Sequence, residues 1–186
     1  GAGSGTNTTH NGAGGGGGGY SKSLAVSLSG QIGIAVGVAG TGGAFLITNH
    51  TAAPAIRHLN LTQVNIKNCR ATAGGAFEVS NGARVVVDRC RIEADTSTTG
   101  AGGGGVNIFI ATLLTKNSRF DACVAGSAGG KDGGGVRLSE GLWVSDTDTL
   151  IGCKAQNVGS GFTTTGLYLS RNVVVRNGTA GVDGDG

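Results

Sequence analysis

A glycine pair followed by alternating apolar residues returns along the chain. It appears as Gly42-Gly43-Ala44-Phe45-Leu46-Ile47, Gly74-Gly75-Ala76-Phe77-Glu78-Val79, Gly104-Gly105-Val106-Asn107-Ile108-Phe109 and Gly134-Gly135-Val136-Arg137-Leu138-Ser139, then as the variant Thr165-Gly166-Leu167-Tyr168-Leu169-Ser170. Aligned on Gly43, Gly75, Gly105, Gly135 and Gly166, the repeats stand 32, 30, 30 and 31 residues apart. A fixed period of this length marks a stacked-repeat architecture, in which one unit cannot bury its apolar face alone and its neighbours bury it together.

A second motif trails each start: Ile66-x-x-Cys69-x-Ala71, Val87-x-x-Cys90-x-Ile92, Phe120-x-x-Cys123-x-Ala125, Leu150-x-x-Cys153-x-Ala155 and the degenerate Val174-x-x-Asn177-x-Thr179. The spacing predicts one inward-facing position occupied by all four cysteines and by Asn177, at a bend flanked by inward apolar residues. The strand-like runs are short and rich in Val, Ile, Leu and Phe, with Asn81-Gly82 and glycine-rich loops between them. No run shows helix-period apolar positions with caps. Units of about 30 residues holding two or three short strands stack as coils about 4.8 Å apart, each strand parallel to its copy in the next coil. The expected fold is therefore all-β: a right-handed single-stranded parallel β-helix of about five coils over residues 20–186. A Gly-rich low-complexity segment, residues 1–19, precedes it. The 39 glycines lack collagen's every-third spacing, and runs such as Arg84-Val85-Val86-Val87 are too apolar for wholesale disorder.

These Gly-Gly-Ala-x and Phe-x-x-Asn-like motifs resemble the repeats of polymorphic outer-membrane proteins, within the pectin-lyase-like β-helix superfamily. The resemblance covers roughly residues 42–180. It implies surface-exposed passenger or adhesive segments without a conserved catalytic chemistry.

Stacked cysteines on adjacent coils would lie within disulfide reach, so Cys69 with Cys90 and Cys123 with Cys153 can pair; the alternative is a ladder of reduced, buried thiols. A metal site is not expected, because the cysteines stand 21, 33 and 30 residues apart with no histidine at ligand spacing. No cofactor motif occurs. Sequons lie at Asn7, Asn49, Asn60 and Asn177. The first three are candidate N-glycosylation sites, and Asn177 reads as inward and silent. Together with the cysteines they favour an extracellular or cell-surface setting. A start at Gly1, with no methionine anywhere and no basic-then-apolar leader, fits a processed product or a piece of a longer chain.

The weak carbohydrate or cation candidates are Asp88 and Asp121, expected in one outward column with Lys67, and Asp146 and Asp148, expected on one face if extended. Arg70, Arg91 and Lys154 are expected to stack in a row of like charges. His10, His50 and His58 accompany no nucleophile motif, and no phosphate-binding loop is present. A net charge of +3 spread along the chain argues against nucleic acid, and glycines interrupt the longest apolar stretch, Gln31 to Ile47, so no membrane span is expected. The function expected is a non-enzymatic extracellular structural or adhesive module, a filament subunit or a segment of a larger surface protein stacking end to end. Its partners would be further copies, neighbouring domains of the same chain, or glycans. The alternative is a carbohydrate-active enzyme or glycan-binding domain on the same fold.

Overall fold

A computed structural model of the chain describes residues 25–29, 43–48, 58–98, 102–126 and 132–181. Residues 1–19 lie outside these, as do Asn7 and Asn49. The described residues form a parallel β-solenoid of about four turns, roughly 28 residues apart, with no helix. The inner described coils each contribute strands to three sheets, while the last contributes to two and meets the third by the single bridge of Thr179 with Lys154. The long sheet has two halves. One stacks Phe45–Thr48, Phe77–Ser80, Val106–Phe109, Val136–Ser139 and Phe162–Thr164. The other stacks Ala25–Ser29, His58–Thr62, Arg84–Asp88, Thr112–Lys116, Leu142–Asp146 and Leu167–Arg171. A second sheet stacks Asn65–Lys67, Arg91–Glu93, Arg119–Asp121, Thr149–Ile151 and Val174–Arg176. A third stacks Arg70–Ala71, Thr96–Ser97, Val124–Ala125 and Lys154–Ala155.

Strand alternation explains the core. Leu59, Val85, Leu113 and Trp143 form one buried inward row, and Ile66, Ile92, Phe120 and Leu150 form another. Two corners join the long sheet to the second sheet and the second to the third. Each turns on one residue in the left-handed region. At the first corner these are Gln63, Arg89, Asn117, Thr147 and Asn172; at the second they are Asn68, Ala94, Ala122, Gly152 and Asn177. Before the last described coil, which has Gly178 at this place, the residue after each points into the core. Both corners follow the pattern inward-x-x-inward-x-inward, with flanks that are apolar save for Thr115, Ser145 and Ser97.

That shared pattern corrects the single cysteine ladder. Cys69, Cys123 and Cys153 follow the second corner, with Asp95 in the coil between Cys69 and Cys123; Cys90 follows the first corner, between Val64 and Ser118. The spacing of 21 residues between Cys69 and Cys90 is too short for a full coil. Asn177 is likewise not inward: it is the exposed left-handed residue itself, with φ 54°.

The glycine register shifts too. Val106 pairs with Phe77, so Gly104, not Gly105, is the counterpart of Gly75, and the last coil begins at Ser160-Gly161-Phe162 rather than at Gly166. Leu167 pairs with Leu142 in the other half of the sheet. The row Gly43, Gly75, Gly104, Gly134 has a physical cause. A Cβ at any of them would stand 1.8 to 2.2 Å from the backbone oxygen of its counterpart in the next coil. At Gly104 it would also meet the Val124 backbone at 2.5 Å, where the coil closes on the third sheet.

Gly104→Ala must therefore push two coils apart, at a cost of about 3 kcal/mol. Gly152→Ala should cost only about 1 kcal/mol, because nothing lies within 4 Å and alanine already occupies the same left-handed position at 94 and 122. Urea midpoints of the two variants against the parent chain test this; equal losses would overturn the close-approach explanation.

Candidate functional site: interior corner columns and charged outer face

A chain that turns through a left-handed residue leaves the next backbone N–H pointing along the solenoid axis. A buried N–H must find an acceptor. Here the inward side chain of the next coil supplies it. The Cys69 N–H donates to Asp95 Oδ1 at 2.7 Å, the Cys90 N–H to Ser118 Oγ at 3.1 Å, and the Ser118 N–H to Asp148 Oδ1 at 2.7 Å. The Val64 N–H reaches Cys90 Sγ at 3.4 Å. The Asp95 and Cys123 backbone amides are directed in the same way at the sulfurs of Cys123 and Cys153. Cysteine, serine and aspartate are interchangeable at these corners because each offers a compact acceptor.

Two of the acceptors are buried carboxyls. Asp148 is fully buried, accepts from Ser145 Oγ at 2.5 Å and from the Thr115 hydroxyl, and Thr115 in turn accepts from Trp143 Nε1 at 2.9 Å. Burial still pushes its pKa above the ordinary value, against these hydrogen bonds. Asp95 is also fully buried and its Oδ2 has no hydrogen-bond partner. Burial raises its pKa from 3.8 to about 7, and the Cys69 thiol beside it is pushed up to about 12, by its own burial first and the Asp95 charge second. Trp143, stacked on Tyr168 at 4.6 Å between ring centroids, is a core residue rather than a sugar platform.

The exposed acids are held by arginines. Asp121 receives Arg91 and Arg119, each at 2.8 Å, and Arg91 also meets Glu93 at 3.2 Å. Asp88 pairs with Arg89 at 3.0 Å. Asp146 is bound in a fork by Arg171, at 3.0 and 2.6 Å, which holds its pKa down at about 2. The expected Lys67–Asp88–Asp121 column does not form. Lys67 aligns with Glu93 and Asp121 in the second sheet, whereas Asp88 aligns with Thr62, Lys116, Asp146 and Arg171 in the long sheet. Asp146 and Asp148 face opposite ways because Thr147, at φ 59°, turns the chain between them. Arg70 aligns with Thr96, Val124 and Lys154, while Arg91 stacks with Arg119 in another sheet, bridged by Asp121. Asn60 lies half-buried on the outer face of the long sheet, level with Val86.

Asp88, Asp121 and Asp146 are each paired with arginine, and among the described residues no group of three His, Cys, Asp or Glu side chains could hold a metal ion. Asp95 was not among the residues singled out above, yet Ile92-x-x-Asp95-x-Ser97 repeats the cysteine motif with a carboxyl in place of the thiol.

Asp95 makes stability depend on pH. Between 3.8 and about 7 the folded chain holds a proton that the unfolded chain has released, so its contribution is fully present below pH 3.8 and is lost as pH rises through about 7. The loss is at most about 4 kcal/mol. Asp95→Asn keeps an acceptor for the Cys69 N–H without the charge. It should flatten the slope between pH 4 and 7, leaving the smaller slope of the same sign from Asp148. Urea unfolding of parent and variant at pH 5 and pH 8 checks it, and parallel pH profiles would refute the assignment.

Comparison of the chain with protein-family models, with curated proteins and with solved structures finds no match among any of the three.

Proposed function

We propose that this chain is a structural solenoid module of an extracellular or surface assembly, joined end to end with further copies or with neighbouring coils of a longer protein. The observation that carries the reading is the state of the last described coil. Its strands Phe162–Thr164, Leu167–Arg171 and Val174–Arg176 each pair on one edge only among the described residues. Val175 continues the inward row of Ile66, Ile92, Phe120 and Leu150, yet it is 43% exposed, and Leu167 and Leu169 are 57% and 50% exposed. Unpaired strand edges with uncovered apolar side chains are templates for another strand.

The opposite end offers a matching edge. Ala25–Ser29 pairs only with His58–Thr62 among the described residues, and it has the same five-residue length as Leu167–Arg171. A second copy continuing the register would lay one strand along the other. The resemblance to polymorphic outer-membrane-protein repeats, the sequons and the cysteines support the surface setting. The carbohydrate-active alternative has less support. Its exposed candidates Asp88, Asp121 and Asp146 are held by arginines, and Asp148 is sealed inside.

Sedimentation velocity with electron microscopy over a range of concentrations tests the reading. The parent chain should form linear oligomers, and Leu169→Lys and Val175→Lys, which place charges on the open edge, should shift them to monomers. A parent chain that stays monomeric at every concentration would count against copy-to-copy joining, and glycan cleavage by the same material would favour the alternative.

A further inference from the structure

The four cysteines are chemically unequal, and their placement separates them. Cys69 has Asp95 as its neighbour in the next coil, and Cys90 has Val64 and Ser118 on either side. Only Cys123 and Cys153 occupy the same corner on consecutive coils. We propose that Cys123 and Cys153 are a redox-active dithiol, closing to a disulfide that bolts two consecutive coils together, while Cys69 and Cys90 stay thiols.

The register supports the reach. Val124 and Lys154, the residues directly after the two cysteines, are paired, and the Lys154 N–H donates to the Cys123 carbonyl at 2.8 Å. This holds the cysteines one coil apart, about 4.8 Å, inside the roughly 4.4 to 6.8 Å that a disulfide spans between Cα atoms. The thiols also lean the same way along the axis. Cys123 Sγ contacts the Ile92 carbonyl at 3.5 Å and Cys153 Sγ the Phe120 carbonyl at 3.7 Å, each in the preceding coil, which turns Cys153 Sγ toward Cys123. Both cysteines sit at a bend, after Ala122 and Gly152 in the left-handed region, and so are free of the strand pleat that would hold paired side chains parallel.

The same contacts assign the order of events. The neighbouring Cys153 and burial push the Cys123 thiol up and keep it protonated, while Cys123 in turn pulls the Cys153 thiol down, which favours its thiolate. Cys153 is therefore the attacking sulfur. It lies beneath the last described coil, where its counterpart is Gly178, and where Val174 and Val175 are already partly exposed. Opening of that coil alone admits a small oxidant. With a low-molecular-weight disulfide such as oxidised glutathione, the Cys153 thiolate attacks one sulfur and expels one glutathione thiolate. Cys123 gives its proton to that thiolate, then attacks Cys153 Sγ and expels the second glutathione as a thiolate, which takes up from water the proton that Cys153 had released on ionising. One Cys123–Cys153 bond forms, the oxidant's S–S bond breaks, and two glutathione thiols are released.

The experiment incubates the full chain with oxidised glutathione, then measures intact mass, maps peptides without reduction, and alkylates the remaining thiols in denaturant. The expected result is a loss of two hydrogen masses, a single cross-link between the peptides holding Cys123 and Cys153, alkylation at Cys69 and Cys90 alone, and a higher Tm that dithiothreitol reverses. Cys69→Ser should leave this unchanged, and Cys153→Ser should abolish the cross-link and the Tm rise. A link from Cys69 to Cys90, stable glutathione adducts in place of a link, or four alkylated cysteines after prolonged oxidation would each overturn the proposal. The peptide map of the parent chain decides the matter even if Cys153→Ser fails to fold.

Discussion

Every coil must lie one strand spacing, about 4.8 Å, from the next over its whole perimeter. In the flat strands the backbone ladder enforces that distance without help. At the corners and at the closure point it does not, and there the sequence is most constrained. The glycine row of Gly43, Gly75, Gly104 and Gly134 brings backbone directly against backbone where the coil closes, with no room for a side chain between coils. The corners need something added: a compact inward acceptor from one coil that takes the axial N–H of the coil before it.

This division explains the composition of the core. Along the strands it is conventional, with Val, Ile, Leu and Phe in inward rows. Buried Thr115 and Ser145 also line the strands beside Asp148, and at the two corners the core carries Cys, Ser and Asp. Each polar group there is the alternative to an unsatisfied amide, whose cost is of order 1–3 kcal/mol. Aspartate makes the strongest hydrogen bond but is the costliest to bury. Asp95 and Asp148 accordingly have raised pKa values, and Asp148 draws in Ser145, Thr115 and, through Thr115, Trp143 to offset that cost. Cysteine makes a weaker bond with no charge to desolvate, and it recurs.

The class of fold was legible in the sequence because a period near 30 residues with short β-type runs admits few other solutions. The register was less so. Two corners in each coil follow one pattern, so the motif around Cys90 is indistinguishable by residue type from the motif around Cys69; only the short spacing between them marks the difference. Alignment on the second glycine failed for a similar reason. Gly75-Ala76-Phe77 and Gly104-Gly105-Val106 place different small residues at one position, and only the inward phase of Phe77 and Val106 fixes the match. A slip of one residue reverses every side chain. The acid columns were misplaced as a consequence, since outward partners are defined by the register that the corner motif left ambiguous.

The outer face then follows from the corrected register. In the long sheet the column Asp88, Lys116, Asp146, Arg171 alternates in sign from coil to coil, and in the second sheet Asp121 lies between two stacked arginines. Exposed pairs of this kind contribute little to stability individually. A coil displaced along the chain by one position would turn an inward apolar row outward, whereas the native register already sets Arg91 level with Arg119 and Glu93 level with Asp121. Register is thus set by apolar burial inside, and the outer ion pairs follow from it. At the last described coil the ladder stops with Arg171 and Arg176 facing outward beside an uncovered Val175. Under the proposed end-to-end joining, the rules that set each coil on the one before it would apply equally to a strand laid against this edge: parallel pairing, an apolar inward row, and carboxylates level with the two arginines.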